Sequence, residues 1–211
     1  MTDRTRIRRL PEKAATDRAA LDAVLDAARV AHVAFVDEGQ PVNIPVACAR
    51  DEDRLLLHGS TGSRLLRTLA TGVPVCAAIT LLDGMVLARS AFESSMHYRS
   101  AVIFGAAEPV EDKVAALRAM SEAWMPGRWD TLRPPTTKEL AATTVLALPL
   151  AEWSVKISAG DPDDPPEDLD APVWAGVLPV VSTYGDPVPA PDLRGDPEPP
   201  AFPAYAMDWR P

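Results

Sequence analysis

Positive charge, cysteine, histidine and long apolar runs are all scarce in this sequence. Lysine and arginine together number 21 against 30 acidic residues, giving a formal net charge of −9. That balance disfavours a nucleic-acid-binding or anionic-membrane surface, since both need a broad positive field, and leaves room only for local cationic pockets. The two cysteines, Cys48 and Cys76, sit in apolar stretches without CxxC or Cys/His spacing, so buried free thiols are expected. His32, His58 and His97 have no metal-ligand spacing among themselves or with carboxylates, which argues against a metal site. The longest apolar run, Val73 to Leu82, stops at Asp83 and is too short to span a bilayer. Met1 to Arg9 carries arginines and no apolar segment, so no secretory signal is expected and the expected location is cytoplasmic.

Proline is the residue in excess. There are 22, about twice the average share, and thirteen of them follow Gly160. Apolar residues at 47% and charged residues at 24% are ordinary globular values. A length of 211 residues suits one domain with an appendage better than two cores. The expected division is a domain over 1–160 and an extended proline-rich C-terminal arm over 161–211.

Leu21, Val24, Leu25 and Ala28 recur at helical spacing behind Thr16 or Asp17 as N-cap, predicting a helix over Asp17 to Arg29. Val30 to Val36, Pro41 to Arg50 and Arg54 to His58 read as consecutive short strands separated by Asp37-Glu38-Gly39 and Asp51-Glu52-Asp53 turns. Sequential antiparallel strands predict a meander or barrel, not a doubly wound parallel sheet. Val75 to Leu82 and Met85 to Ala91 are expected to form a hairpin across Asp83-Gly84, followed by a strand over Tyr98 to Ala107. Helical spacing returns over Glu111 to Trp124 and Thr137 to Ala142, before strands at Thr144 to Leu148 and Trp153 to Ser158. Asp161 to Asp170 lacks the ligand pattern of a calcium loop and reads as a solvated acidic linker. The apolar island Val173 to Pro179, centred on Trp174, is out of place in a solvating tail and predicts docking on a surface of this chain or of a partner subunit.

Two segments carry candidate chemistry. His58-Gly59-Ser60-Thr61-Gly62-Ser63-Arg64 is a glycine-containing loop entering a helix, where backbone N–H groups, hydroxyls and the Arg64 fork suit an anion such as phosphate. It lacks the Walker A lysine and the GxGxxG spacing, and an ordinary serine-capped turn fits the same residues. Ser94 to Ser100, with Tyr98, Arg99 and Ser100 at a strand start, offers hydroxyls, a ring and a cation, or simply a solvated lead-in. The GxSxG nucleophile pattern is absent.

Taken in order, these segments resemble the pyridoxamine 5′-phosphate oxidase-related, flavin-binding split-barrel superfamily, in its nitroimidazole-resistance-like branch. The resemblance runs from Arg6 to Pro179. It rests on Arg8-Arg9-Leu10-Pro11-Glu12-Lys13-Ala14, Asn43-Ile44-Pro45-Val46, the His58 to Arg64 loop, Tyr98-Arg99-Ser100 with Gly105, and Val173-Trp174-Ala175-Gly176-Val177-Leu178-Pro179. It implies a mainly β fold, an antiparallel six-stranded split β-barrel with flanking helices. It further implies bound FMN: phosphate at Ser63 and Arg64, ring edge along Pro45 and Val46, ring and ribityl chain lined by His58, Gly59 and Ser60. Tyr98, Arg99 and Ser100 would reach the ribityl-phosphate, and Trp174 would approach the site from a homodimer partner. The expected function is an FMN-dependent oxidoreductase that reduces a small substrate with a nicotinamide donor, with His58 as the candidate catalytic donor or proton relay. An F420-dependent reductase and a non-catalytic flavin-binding sensor are the alternatives.

Overall fold

The structure, a computed structural model, describes residues 2–195 and 197–200. In chain order the strands and helices are β1 (Ala14–Ala15), α1 (Arg18–Ala27), β2 (Val30–Asp37), β3 (Gln40–Asp51), β4 (Arg54–Ser60), α2 (Arg64–Leu69), β5 (Pro74–Leu87), β6 (Ser95–Ala106), β7 (Glu108–Pro109), α3 (Lys113–Trp124), α4 (Thr137–Ala142), β8 (Thr143–Pro149), β9 (Glu152–Ser158) and β10 (Gly176–Pro179). All pairings are antiparallel, in the order β1-β9-β6-β5-β2-β3-β4-β8-β7, with β10 added to β5. The class expected from the sequence stands, with ten strands in place of six.

Alternation sets the two faces of the curled sheet. On β2, Ala31, Val33 and Phe35 point inward and are buried, whereas His32 is exposed. Helix α1 fills the barrel mouth: Asp17 caps it by accepting from the Ala20 amide at 2.8 Å, and Leu21, Val24 and Leu25 are wholly buried against the sheet. Helix α3 packs outside, where Ala116 and Met120 meet Leu56, Ala49 and Val145 in a separate apolar cluster. Cys48 is buried and Cys76 half-buried, both free, and burial pushes the Cys48 thiol up to about 12. Among the described residues no helix is long and apolar enough to cross a membrane, and no group of three or more His, Cys, Asp or Glu could hold a metal ion.

Two expectations are corrected. The Asp83-Gly84 hairpin does not form: β5 runs on to Leu87 with a register shift between Leu82 and Gly84, and the reversal falls at residues 88–94. Asp83 is the reason, since its carboxylate is buried and takes both Nε and Nη2 of Arg99, at 2.9 and 2.8 Å, so the dipeptide is a bulge held by an internal ion pair. The acidic run is solvated as expected at Asp161, Asp163, Glu167 and Asp170, but not at Asp164. Asp164, with only 1% of its side chain exposed, accepts from the Arg89 amide at 2.7 Å and from its guanidinium at 2.9 Å.

The proline-rich arm then pairs with its own barrel, Gly176 opposite Leu87 through Pro179 opposite Gly84, and the Val180 amide donates to the Asp83 carbonyl at 2.9 Å. Gly84 permits this approach: a Cβ there would lie 3.1 Å from the Leu178 carbonyl oxygen. The part of the expected arm at 201–211 lies outside the described residues.

Candidate functional site

Strand β3 lies between β2 and β4 and divides its length between them. Cys48–Asp51 pair with Leu57–Arg54 of β4, whereas Gln40–Ala47 pair with β2. Beyond Leu57, residues His58–Ser60 follow β8 instead. The edges of β3 before Cys48 and of β4 after Leu57 therefore diverge, and unpaired backbone borders a wedge between them. Pro45, Val46, His58, Gly59 and Ser60 all lie on its two sides, with Ser63 and Arg64 at the loop that follows.

The apex is closed by a residue that the sequence marks only as the end of a helix. Trp124, the last residue of α3, donates its indole N–H to the Cys48 carbonyl at 2.8 Å. Its ring lies 5.5 Å from the His58 ring at a tilt of 48°. His58 makes no hydrogen bond among the described residues, and its Nδ1 is buried. Burial of this kind disfavours the imidazolium and lowers the His58 pKa below its ordinary 6.5. The site thus holds a neutral imidazole with unused ring nitrogens, half-covered by an indole. A separation of 66 positions between these residues explains why sequence spacing could not join them.

In the loop, most of the amides offered to an anion are already engaged. Thr61 donates to the Ala142 carbonyl, Ser63 to the Ser60 carbonyl and Gly62 to the Ser60 hydroxyl, at 2.9, 2.9 and 3.1 Å. Ser63 caps the short helix α2 loosely, its hydroxyl 3.5 Å from the Leu66 amide. The anion-binding capacity of this segment lies instead in side chains. Arg64, 60% exposed, gives one N–H to Asp37 at 2.9 Å and keeps the rest of its fork open. Arg67, Thr68 and Thr71 continue from it around a hollow of about 610 Å³ that Asp37 and Glu38 also line, so its charge is mixed.

Tyr98, Arg99 and Ser100 are not brought to this loop. They lie on β6, separated from β3 by β5 and β2, or ~14 Å at about 4.8 Å per strand. Arg99 is committed to Asp83, and Ser100 donates to the Lys156 carbonyl at 3.3 Å. Tyr98, however, shares the outer sheet face with Pro45 and His32, as the pairings His32–Pro45, His32–Ala78 and Ala78–Val102 establish. On that face Leu178, Met85 and Met96 stand in one row across β10, β5 and β6, all exposed, with Leu82 beside Tyr98. Trp174 is 64% exposed and its ring lies against Gly176, two positions before Leu178 on β10.

A protein-family model described as pyridoxamine 5′-phosphate oxidase matches residues 17–157. The chain belongs to that family, the flavin-binding split barrels its sequence resembles. Among solved structures it is similar to the FAD- and heme-binding protein of Mycobacterium smegmatis, with 49% identity over 89% of this chain and 94% of that one and a TM-score of 0.86. It is also similar to the flavocytochrome Anf3 of Azotobacter vinelandii, with 38% identity over 94% of each chain and a TM-score of 0.87. A candidate 5-nitroimidazole antibiotic resistance protein of Bacteroides thetaiotaomicron, 22% identical over 68% of this chain and 86% of that one, shares the fold with a TM-score of 0.58. No curated protein sequence matches the chain.

Proposed function

We propose that the protein is a homodimeric redox protein that binds a flavin and a heme. The observation carrying the second cofactor is His58: a neutral imidazole, free of hydrogen bonds, with Nδ1 buried beside Trp124. His58 would hold the haem iron through an imidazole nitrogen that has no other partner among the described residues. His58 fits the group as a donor atom, and the FAD- and heme-binding relative, 49% identical over nearly the whole chain, supports the same reading. His58 is then an iron ligand in place of the proton relay expected from the sequence.

The flavin belongs at the wedge and its outer face, with its phosphate at Arg64 and its ring edge along Pro45 and Val46. FAD is favoured over FMN by the similarity to the FAD- and heme-binding protein. Tyr98 and Trp174 meet the flavin only from a second copy packed through the exposed Leu178–Met85–Met96 row. With both groups bound, a flavin supplies two-electron chemistry and an iron centre one-electron chemistry. The chain's own part is to ligate, orient and shield them, and a nicotinamide donor is the reductant in this reading.

Absorbance of the purified protein tests it. Flavin bands together with a Soret band are expected, with FAD as the extracted flavin. His58→Ala should lose the Soret band and keep the flavin, whereas Arg64→Ala should weaken flavin binding far more than Arg118→Ala. A colourless protein that binds F420 would replace the proposal by the deazaflavin reductase, and bound flavin that neither NADH nor NADPH bleaches anaerobically would leave a non-catalytic binding protein.

A further inference from the structure

The N-terminal segment crosses the barrel edge farthest from the wedge, and it covers a cavity. Its first residues are tied to β9: Thr2 Oγ1 and the Arg4 guanidinium both donate to the Glu152 carboxylate, and Arg4 lies 5.1 Å over the Phe104 ring. Its far end is held where β1 pairs with Val155 and Lys156, where Lys13 donates to Ser158 at 3.0 Å and where Lys156 donates to the Arg9 carbonyl at 3.1 Å. The strap is thus fastened at both ends and bridges the middle. Because β1 is only Ala14–Ala15, the edge of β9 over Glu152–Ser154 has no strand on that side. A cavity of about 520 Å³ occupies the gap, roofed by Thr5, Ile7 and Pro11 and floored by Ala15, Trp153 and Val155.

The lining is part apolar and part polar; its Glu152 carboxylate is taken up by Arg4 and Thr2, and two other polar groups lack partners among the described residues. Arg6 has neither an ion pair nor a hydrogen bond among the described residues, and the Trp153 indole N–H has no acceptor. The flanking arginines differ, since Arg4 is paired with Glu152 and Arg8 with Asp3. An unpaired guanidinium at the mouth of an apolar cavity, in a chain of net charge −9, is a feature that overall charge does not produce.

We propose that this cavity binds a small planar organic acid, its anionic head on Arg6 and its flat apolar body against Trp153 and Ala15. The guanidinium fork matches a carboxylate or phosphate bidentately, and an indole face suits an aromatic ring. The volume falls within the range of about 300–1,000 Å³ usual for small-molecule sites, and the strap roof excludes a macromolecule. A cationic ligand would be repelled by Arg6, which is exposed at the mouth, and a wholly neutral one would gain nothing from it. The site is separated from the wedge by β6, β5 and β2, so it stands whatever occupies the wedge.

The test is titration of the full-length protein with 2-naphthoate, followed by ¹H–¹⁵N chemical shifts. Saturable shifts are expected at the Ala14, Ala15 and Ser154 amides. Arg6→Ala should weaken 2-naphthoate binding by about tenfold and leave neutral 2-naphthalenemethanol unchanged. Ala15→Phe, which fills the cavity from the same face as Trp153 and Val155, should abolish both. Since Arg6 has no partner to lose, its variant keeps the fold and the comparison stays decisive. No shifts at these amides at millimolar 2-naphthoate, or equal 2-naphthoate affinity in the Arg6→Ala protein, would overturn the proposal.

Discussion

The indole N–H of Trp124 reaches the carbonyl of Cys48 across the point where β3 leaves β4. One side chain therefore fixes the angle of the wedge and covers His58. Trp124→Phe keeps a ring against His58 and removes the donor, leaving the carbonyl with one partner fewer. The expected cost is about 1–2 kcal/mol of stability, read from urea unfolding. An unchanged midpoint would mean that the β3–β4 fork is held by its ladder alone.

His58 should make stability depend on pH in a fixed direction. Its folded pKa lies below the unfolded value of 6.5, so the unfolded chain binds the proton more readily. The contribution is complete above the unfolded value and is lost as pH falls through the lowered folded one. Melting temperatures of the cofactor-free protein measured from neutral pH downward should therefore fall less steeply in His58→Gln than in the parent. Trp124→Ala, by opening His58 to water, should raise its pKa toward 6.5 in an NMR titration of the imidazole.

Arg99 and Arg64, both assigned to phosphate by resemblance, should separate by phenotype. Asp83 is buried, with 1% of its side chain exposed, and the Arg99 fork is its partner. Breaking a buried pair by removing one member costs about 3–5 kcal/mol, so Arg99→Gln should lower the melting temperature sharply. Arg64→Ala, at an exposed site, should leave melting of the cofactor-free protein nearly unchanged and lower flavin affinity. Loss of flavin affinity by Arg99→Gln at a temperature where it stays folded would return Arg99 to the site.

Local pattern made the barrel legible. Alternation in Val42, Ile44, Val46 and Cys48, and helical spacing in Leu21, Val24 and Leu25, survive into the structure because each reports a single face turned to one core. Asp83-Gly84 failed for a tertiary reason, since turn propensity cannot register a carboxylate that finds an arginine across the neighbouring strand. Asp164 was misread in the same way, its partner Arg89 being 75 positions distant. Of the site residues, Pro45, Val46, His58, Gly59, Ser60, Ser63 and Arg64 were found together because β3, β4 and the loop follow one another in the chain. Trp124 was missed because it comes from an outer helix, where a tryptophan at helical spacing reads as core.

Gly84 links the arm to the exposed outer face, and a single methyl group tests the link. An added Cβ would sit 3.1 Å from the Leu178 carbonyl oxygen and 3.2 Å from Val177 Cγ1, and the backbone oxygen cannot rotate away as a side chain would. Gly84→Ala should therefore push β10 off β5 at a cost of about 1–3 kcal/mol, local to the arm. Hydrogen exchange should quicken at Val180, whose amide donates to the Asp83 carbonyl, while Val33 in the barrel keeps its protection. Leu178 would then leave its place beside Met85 and Met96, removing one member of the apolar row through which the second copy is proposed to pack. Sedimentation should accordingly show a weaker dimer in Gly84→Ala than in the parent. Faster exchange at Val180 with an unaltered dimer would place the subunit contact elsewhere on the sheet.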